Sequence, residues 1–331
     1  MKRLLGVILL VVTLYGVLLS SNPGARSAGN LRNLANESGF YGVLTLGVAV
    51  LIISGGIDLS IGSVVALGAV GFCVLMTEGV PPYAAVLLVV LGGAIIGLFY
   101  GLLVTRLRLQ PFLITLCGLF IFRGLARMLS KRDIGKTEVL YGTGTMPGHP
   151  DFESAWNNLV YWLIGQDAEG HSIFPAQFVI LILLALVLGL LMHGTVYGRY
   201  LYAIGHNESA ARYAGIRTDR YKVLAYVICS SLAGLGGVLY TLDNPSVSPS
   251  NAALGYELYA ITGAVLGGCS LRGGEGLIIG ALLGTTVLPV LRNLIVFLRV
   301  PSEVEFAAIG LALLMGTIAD EFFRRRSGSR K

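Results

Sequence analysis

The chain has 331 residues, 55% hydrophobic and 13% charged, and its mean hydropathy is +0.77. A soluble domain carries about 25% charged residues, so this composition excludes a soluble enzyme, a disordered chain and a secreted disulfide scaffold. The formal charge of +6 would suit nucleic acid, but the basic residues sit between apolar runs rather than among aromatics on one face, which points away from it.

In chain order, Met1-Lys2-Arg3 followed by Leu4 to Leu19 has the outline of a signal peptide, but its apolar run is long and many more follow. The expectation is an uncleaved first helix. Further spans are expected at Gly39 to Ser54, Ile61 to Thr77, Tyr83 to Leu103 and Pro111 to Ser130. A second set runs Phe174 to Met192, Tyr221 to Leu242, Glu257 to Gly268, Gly276 to Leu298 and Val304 to Phe323. The segment at Glu257 is short for a crossing, so the count ranges from eight to ten. Gly39 to Glu78 cannot be one helix, since it would run about 60 Å, twice the membrane core.

With ten spans and both termini inside, 15 of the Lys and Arg residues fall in cytoplasmic segments and 7 outside. The reverse orientation violates the positive-inside bias. The expected fold is therefore an all-α polytopic membrane protein, a single transmembrane domain over 1–331. It divides into a first helical half (1–130), an extracytoplasmic segment (131–173), a second half (174–323) and a basic cytoplasmic tail (324–331). Within 131–173, Trp156, Tyr161 and Trp162 beside Leu159 and Leu163 are expected to form a short helix at the membrane surface. Gly93, Gly97 and Gly101 recur every fourth residue, as do Gly276, Gly280 and Gly284, giving smooth stripes for close helix approach and an echo between two halves.

The strongest candidate for function is Ser54-Gly55-Gly56-Ile57-Asp58-Leu59-Ser60-Ile61-Gly62-Ser63, a polar break in apolar sequence. Freed backbone groups there need protein or a water-lined cavity as partners. Asp58 is costly in hydrocarbon; it either caps the helix beginning near Ile61, as Ser60 can, or borders a transport route. A second glycine-rich break runs from Leu266 to Gly276 and does not mirror the first. Its Arg272 and Glu275 either pair or serve as a boundary anchor. In the loop after the sixth span, Asn207 is placed to cap a helix, Glu208 to favour its first turn and Gly215 to stop it, leaving about two turns on the cytoplasmic side. Such a helix either connects two spans or docks in another protein's groove.

Taken together, the Gly-Gly-Ile-Asp-Leu-Ser-x-Gly-Ser run, the Gly-x-Asn-Glu-x-Ala-Ala-x-x-x-Gly-Ile loop and the Glu257 to Gly276 segment resemble the permease subunits of bacterial ribose-type ABC sugar importers. The resemblance implies a non-catalytic subunit of the bacterial cytoplasmic membrane, working as a homodimer or half of a paired heterodimer. It further implies a separate ABC ATPase and a periplasmic sugar-binding protein as partners, besides membrane lipid. In that family the cytoplasmic loop is the coupling helix, which would set Asn207, Glu208, Ala211, Ala214 and Gly215 against the ATPase. Ser54, Asp58 and Ser60 are the residues expected to border the translocation route.

Other chemistry is weak. Cys73, Cys117, Cys229 and Cys269 lack a C-x-x-C spacing, and the four histidines lack metal-ligand spacing. Gly135-Lys136-Thr137 imitates the end of a phosphate loop without its first glycine. No cofactor, metal or catalytic residue is expected. Arg123 and Arg127 share a helix face, either lining a polar entrance or snorkelling to headgroups. The rival reading is a secondary transporter driven by an ion gradient through Asp58.

Overall fold

The computed structural model describes residues 2–135, 139, 150–166 and 173–299, with 307, 310, 311, 314 and 318 beyond them. Helices dominate: α1 (Lys2–Ser21), α2 (Ala28–Ile53), α3 (Ile61–Thr77), α4 (Pro82–Arg106), α5 (Pro111–Leu129), α6 (Pro150–Ile164), α7 (Ala176–Gly194), α8 (Val196–His206), α9 (Glu208–Tyr213), α10 (Thr218–Asp243), α11 (Tyr256–Leu266), α12 (Ile278–Thr285) and α13 (Val287–Phe297). A 3-10 turn at Pro23–Arg26 joins α1 to α2, and two-residue strands β1 (Ile134–Gly135) and β2 (Ser246–Val247) pair antiparallel. Six described stretches are long and apolar enough to cross a membrane: α2 and α10, of 26 residues each, α4, α5, α7, and Ile278–Phe297, which takes in both α12 and α13. This is an all-α polytopic membrane fold.

Several boundaries follow from local chemistry. Pro82 and Pro111 occupy first-turn positions of α4 and α5, where the missing N–H costs nothing. Ser27 caps α2 by accepting from Asn30 N at 3.2 Å. The predicted span Gly276 to Leu298 divides at Thr286. Pro289 has no N–H to offer the Thr285 carbonyl one turn back, which interrupts the ladder there. The expected span at Val304 to Phe323 lies outside the described residues, apart from its isolated helical positions.

Two compact units make up the chain. One comprises Met1–Gly55, Leu181–Thr218 and Leu258–Lys331; the other comprises Gly56–Ile180 and Asp219–Glu257. Each draws on both linear halves of the sequence.

In the first unit α2 is the buried axis, with nearly every side chain from Ser38 to Ile53 inside. It packs against α12 and α13, while α1 lies along α13. Leu18, Ala25, Leu34, Val290 and Leu294 form one apolar cluster. Polar groups within it are matched: Arg292 donates to Tyr41 Oη at 2.6 Å, and the Asn30 and Asn293 amides exchange hydrogen bonds of 3.1 and 3.0 Å. Gly280 and Gly284 lie so close to the Gly267 and Gly263 carbonyls that any Cβ would overlap them.

In the second unit Gly93, Gly97 and Gly101 of α4 press on the α10 backbone at Ser230, Tyr226 and Val223. Both glycine stripes are thus packing surfaces, each against a different helix. Thr241 of α10 donates to Ala69 O of α3 at 3.2 Å. The helix expected at the membrane surface forms as α6 but turns Trp156 inward. That side chain is fully buried, with its ring 6.3 Å from Phe72, because a large apolar ring gains more from a packed core than from a headgroup layer. Trp162 remains outside, 66% exposed.

Adjacent glycines in α4 provide a test. A methyl at Gly93 meets the Ser230 carbonyl, whereas Gly92 has nothing within 4 Å. Gly93→Ala is expected to destabilise the detergent-purified protein by about 1–3 kcal/mol, the usual cost of overpacking. Gly92→Ala is expected to leave the thermal melting midpoint unchanged.

Candidate translocation break and coupling surface

The chain leaves α2 at Ser54, whose hydroxyl donates to Leu51 O at 2.6 Å, and turns at Gly55. Ser54 is buried and its hydroxyl is already engaged by its own helix. Helix α3 then starts with free N–H groups that need acceptors inside the protein. Asp58 supplies one: its Oδ1 accepts from Ser60 N at 2.7 Å and from Ser60 Oγ at 2.6 Å. Ser60 holds the N-cap position without a side-chain capping bond; its carbonyl accepts from Ser63 Oγ at 2.7 Å. The capping function expected of Asp58 or Ser60 is therefore performed by the carboxylate.

A second carboxylate meets the same helix start. Glu257, in the first turn of α11, lies against Gly62: its Oε2 occupies the space a side chain at position 62 would need. Arg123 lies within charge range of Glu257 and donates from Nη1 to Ala252 O at 2.5 Å. Arg127 is exposed, so the two arginines expected to act alike diverge. Two carboxylates complement the positive end of α3, and Arg123 offsets part of their charge. Asp58 is 1% exposed, with Tyr100, Tyr226 and Cys229 within its electrostatic reach. Its Oδ2 has no hydrogen-bond partner among the described residues. Sequence reasoning passed over Glu257 and Arg123 as members of this site; an acidic residue in an otherwise apolar span was the available signal.

On the loop after α8, Asn207 Oδ1 accepts from Ala210 N at 2.9 Å and caps the six-residue α9. Glu208 and Arg212 form an exposed i,i+4 ion pair at 3.2 Å, worth about 0.3–0.5 kcal/mol. Arg212 also donates to Thr218 Oγ1 at 2.9 Å, tying α9 to the start of α10. The helix ends where Ile216 N donates to Ala211 O and Gly215 takes a φ of +83°, a left-handed conformation that glycine alone adopts freely.

Of the five residues expected at the ATPase surface, Ala211 requires correction: at 5% exposure it faces this chain's own body. A six-residue helix has one inward side, and the small Ala211 is the residue that lets it lie close. Asn207, Ala214 and Gly215 are exposed and Glu208 half-exposed. Tyr213, which sequence reasoning did not select, stands 93% exposed on the same helix.

The Asp58 arrangement makes a stability prediction. Asp58→Ala leaves the buried Ser60 N–H unpaired and is expected to cost about 1–3 kcal/mol. Asp58→Asn keeps an acceptor oxygen at the same place and should retain most of that stability, as thermal melting of the purified protein will show.

The profile of the family described as "Branched-chain amino acid transport system / permease component" matches residues 30–318. The ribose import permease protein RbsC of Bacillus subtilis (strain 168) is 32% identical over 317 residues, covering 96% of this chain and 91% of the relative. RbsC of Escherichia coli (strain K12) is 31% identical, with 94% and 91% covered. The fructose import permease protein FruG of Bifidobacterium longum (strain NCC 2705) is 31% identical, with 92% and 86% covered. Among solved structures, a transporter described as a metal-chelate type ABC transporter in an inward-facing conformation matches in fold, with a TM-score of 0.51 and 18% identity over 98% of both chains. The family profile over residues 30–318 and relatives along nearly the whole length agree: the chain belongs to the family of ABC importer permeases that includes the ribose import permeases, and is an integral membrane, non-catalytic transport subunit.

Proposed function

We propose that this chain forms the translocation pathway for a monosaccharide in the bacterial cytoplasmic membrane. A periplasmic binding protein delivers the sugar, a separate ATPase subunit drives the cycle, and a second permease subunit, identical or paired, completes the pathway. The proposed topology has ten spans with both termini in the cytoplasm, placing 15 basic residues inside and 7 outside. The proposed organisation keeps the halves 1–130 and 174–323, with 131–173 outside and 324–331 as the basic tail.

The observation that carries this reading is α9: short, capped at Asn207, ended at Gly215 and presenting an exposed tyrosine. A small rigid helix with an aromatic anchor is the shape another protein's groove accepts. Ser54, Asp58 and Ser60 are assigned to the border of the route. Two carboxylates, Asp58 and Glu257, stand at the start of α3, which disfavours an anionic cargo and suits a neutral polyhydroxyl one. Ribose and fructose, named for the relatives, are cargoes of that kind.

The decisive experiment co-purifies the chain with its ATPase from native membranes and adds candidate sugar-loaded binding proteins in proteoliposomes. Stimulated ATP hydrolysis with sugar uptake is the expected result; uptake that runs without ATP and collapses with the proton or sodium gradient would instead favour the ion-coupled transporter. A second prediction concerns Gly215. A β-branched residue at φ +83° costs about 1–2 kcal/mol locally, so Gly215→Val should leave protein in the membrane while uptake per ATP hydrolysed falls. Unchanged uptake in that variant counts against the coupling role.

A further inference from the structure

Three segments that look unrelated along the chain converge in the first unit: the end of α2, the end of α8 and the glycine-rich loop after α11. Gly274 N donates to Ile53 O at 2.9 Å, joining that loop to the last residue of α2. Gly205, the penultimate residue of α8, lies so near that a Cβ would overlap both Ile53 O and Gly274 N. Gly273 adopts a φ of +84°, and a Cβ there would stand 2.8 Å from Gly55 Cα and 2.9 Å from Gly205 O. Gly274, at φ +74°, lies against His206, the residue before the α9 cap. Tyr202 braces the assembly from α8 by donating to Gly276 O at 2.8 Å.

The contacts are backbone on backbone. Side chains at a joint yield by changing rotamer, whereas main-chain atoms in van der Waals contact transmit displacement directly. Nothing softer separates α9 from the α2 end: His206 precedes Asn207, and Gly205 touches Ile53 and the loop residue bonded to it.

We infer that the Ile53–Gly55, Gly205–His206 and Gly273–Gly274 junction is the relay by which movement of α9 repositions the end of α2, and that Gly205 is its positioning residue. This rests on the reading of α9 as the ATPase docking helix. The requirement is geometric: the junction closes only when position 205 has no side chain. Alanine would strengthen α8 as a helix and spoil only the contact.

The test uses the complex with its co-purified ATPase in nanodiscs. The exposed Cys117 is replaced by alanine, the other three cysteines being buried, and Ile57→Cys reports the segment beyond α2 through a membrane-impermeant maleimide. In this parent, ATP with vanadate should change the labelling rate by about fivefold or more, the lower end of usual coupling strengths. Gly205→Ala should abolish the change while the ATPase stays bound, and Gly189→Ala, with nothing within 4 Å of its Cβ, should preserve it. Tyr202→Phe removes only the bond to Gly276 O and should reduce the change; it carries the test should Gly205→Ala fail to reach the membrane. No nucleotide-dependent change in the parent, or an undiminished change in both variants, overturns the relay. Tyr213→Ala separates the two claims. If it keeps the ATPase bound as well as the parent does, the docking reading falls. If it releases the ATPase while Gly205→Ala behaves like the parent, the relay alone falls.

Discussion

A helix interrupted within a membrane protein has to find partners for the backbone groups it frees, because hydrocarbon offers none. Much of this structure follows from how that demand is met between α2 and α3. The Ser60 N–H at the start of α3 goes to the carboxylate of Asp58, and the Glu257 carboxylate, from far along the chain, lies against Gly62 in the same first turn. Placing two carboxylates at a buried helix start is tolerable because the helix end is electropositive and Arg123 lies beside Glu257. The break is thus a built feature: removing the Asp58 carboxylate leaves the buried Ser60 N–H without its partner.

The second organising feature is the close approach of main chains. Helices surrounded by lipid gain little from burying leucine against leucine, so contact area and backbone proximity decide which faces meet. The stripe of Gly93, Gly97 and Gly101 serves this in one unit, and Gly280 with Gly284 serves it in the other. The same chemistry recurs at the Gly205, Gly273 and Gly274 junction, where three loops or helix ends share one small volume. Glycine-mediated contacts are close and unforgiving, which suits a protein that must move as a few stiff pieces.

These features fit a gate operated by another subunit. The chain belongs to a permease family without catalytic machinery of its own, and its candidate input is the capped, exposed α9. The six-residue helix is held at both ends: by Asn207 at its start, and by Gly215 with the Arg212 link to Thr218 at its end. A lever that frayed would lose displacement before passing it on, so these local bonds bear directly on the proposed mechanism.

Signals that act within a few residues were readable from the sequence: apolar run length, the cost of Asp58 in an apolar segment, the Asn207 cap, the Gly215 stop and the spacing of both glycine stripes. They established the membrane class, the location of the break and the shape of the capped loop after α8, since hydropathy and capping depend on near neighbours. Tertiary structure alone decided which distant groups meet. It brought Glu257 to Gly62, turned Trp156 inward against Phe72, faced Ala211 into the chain while Tyr213 projects, and joined two glycine-rich breaks that sequence symmetry did not relate. Each of these depends on how helices pack in three dimensions, and no local periodicity or cap encodes a neighbour from far along the chain.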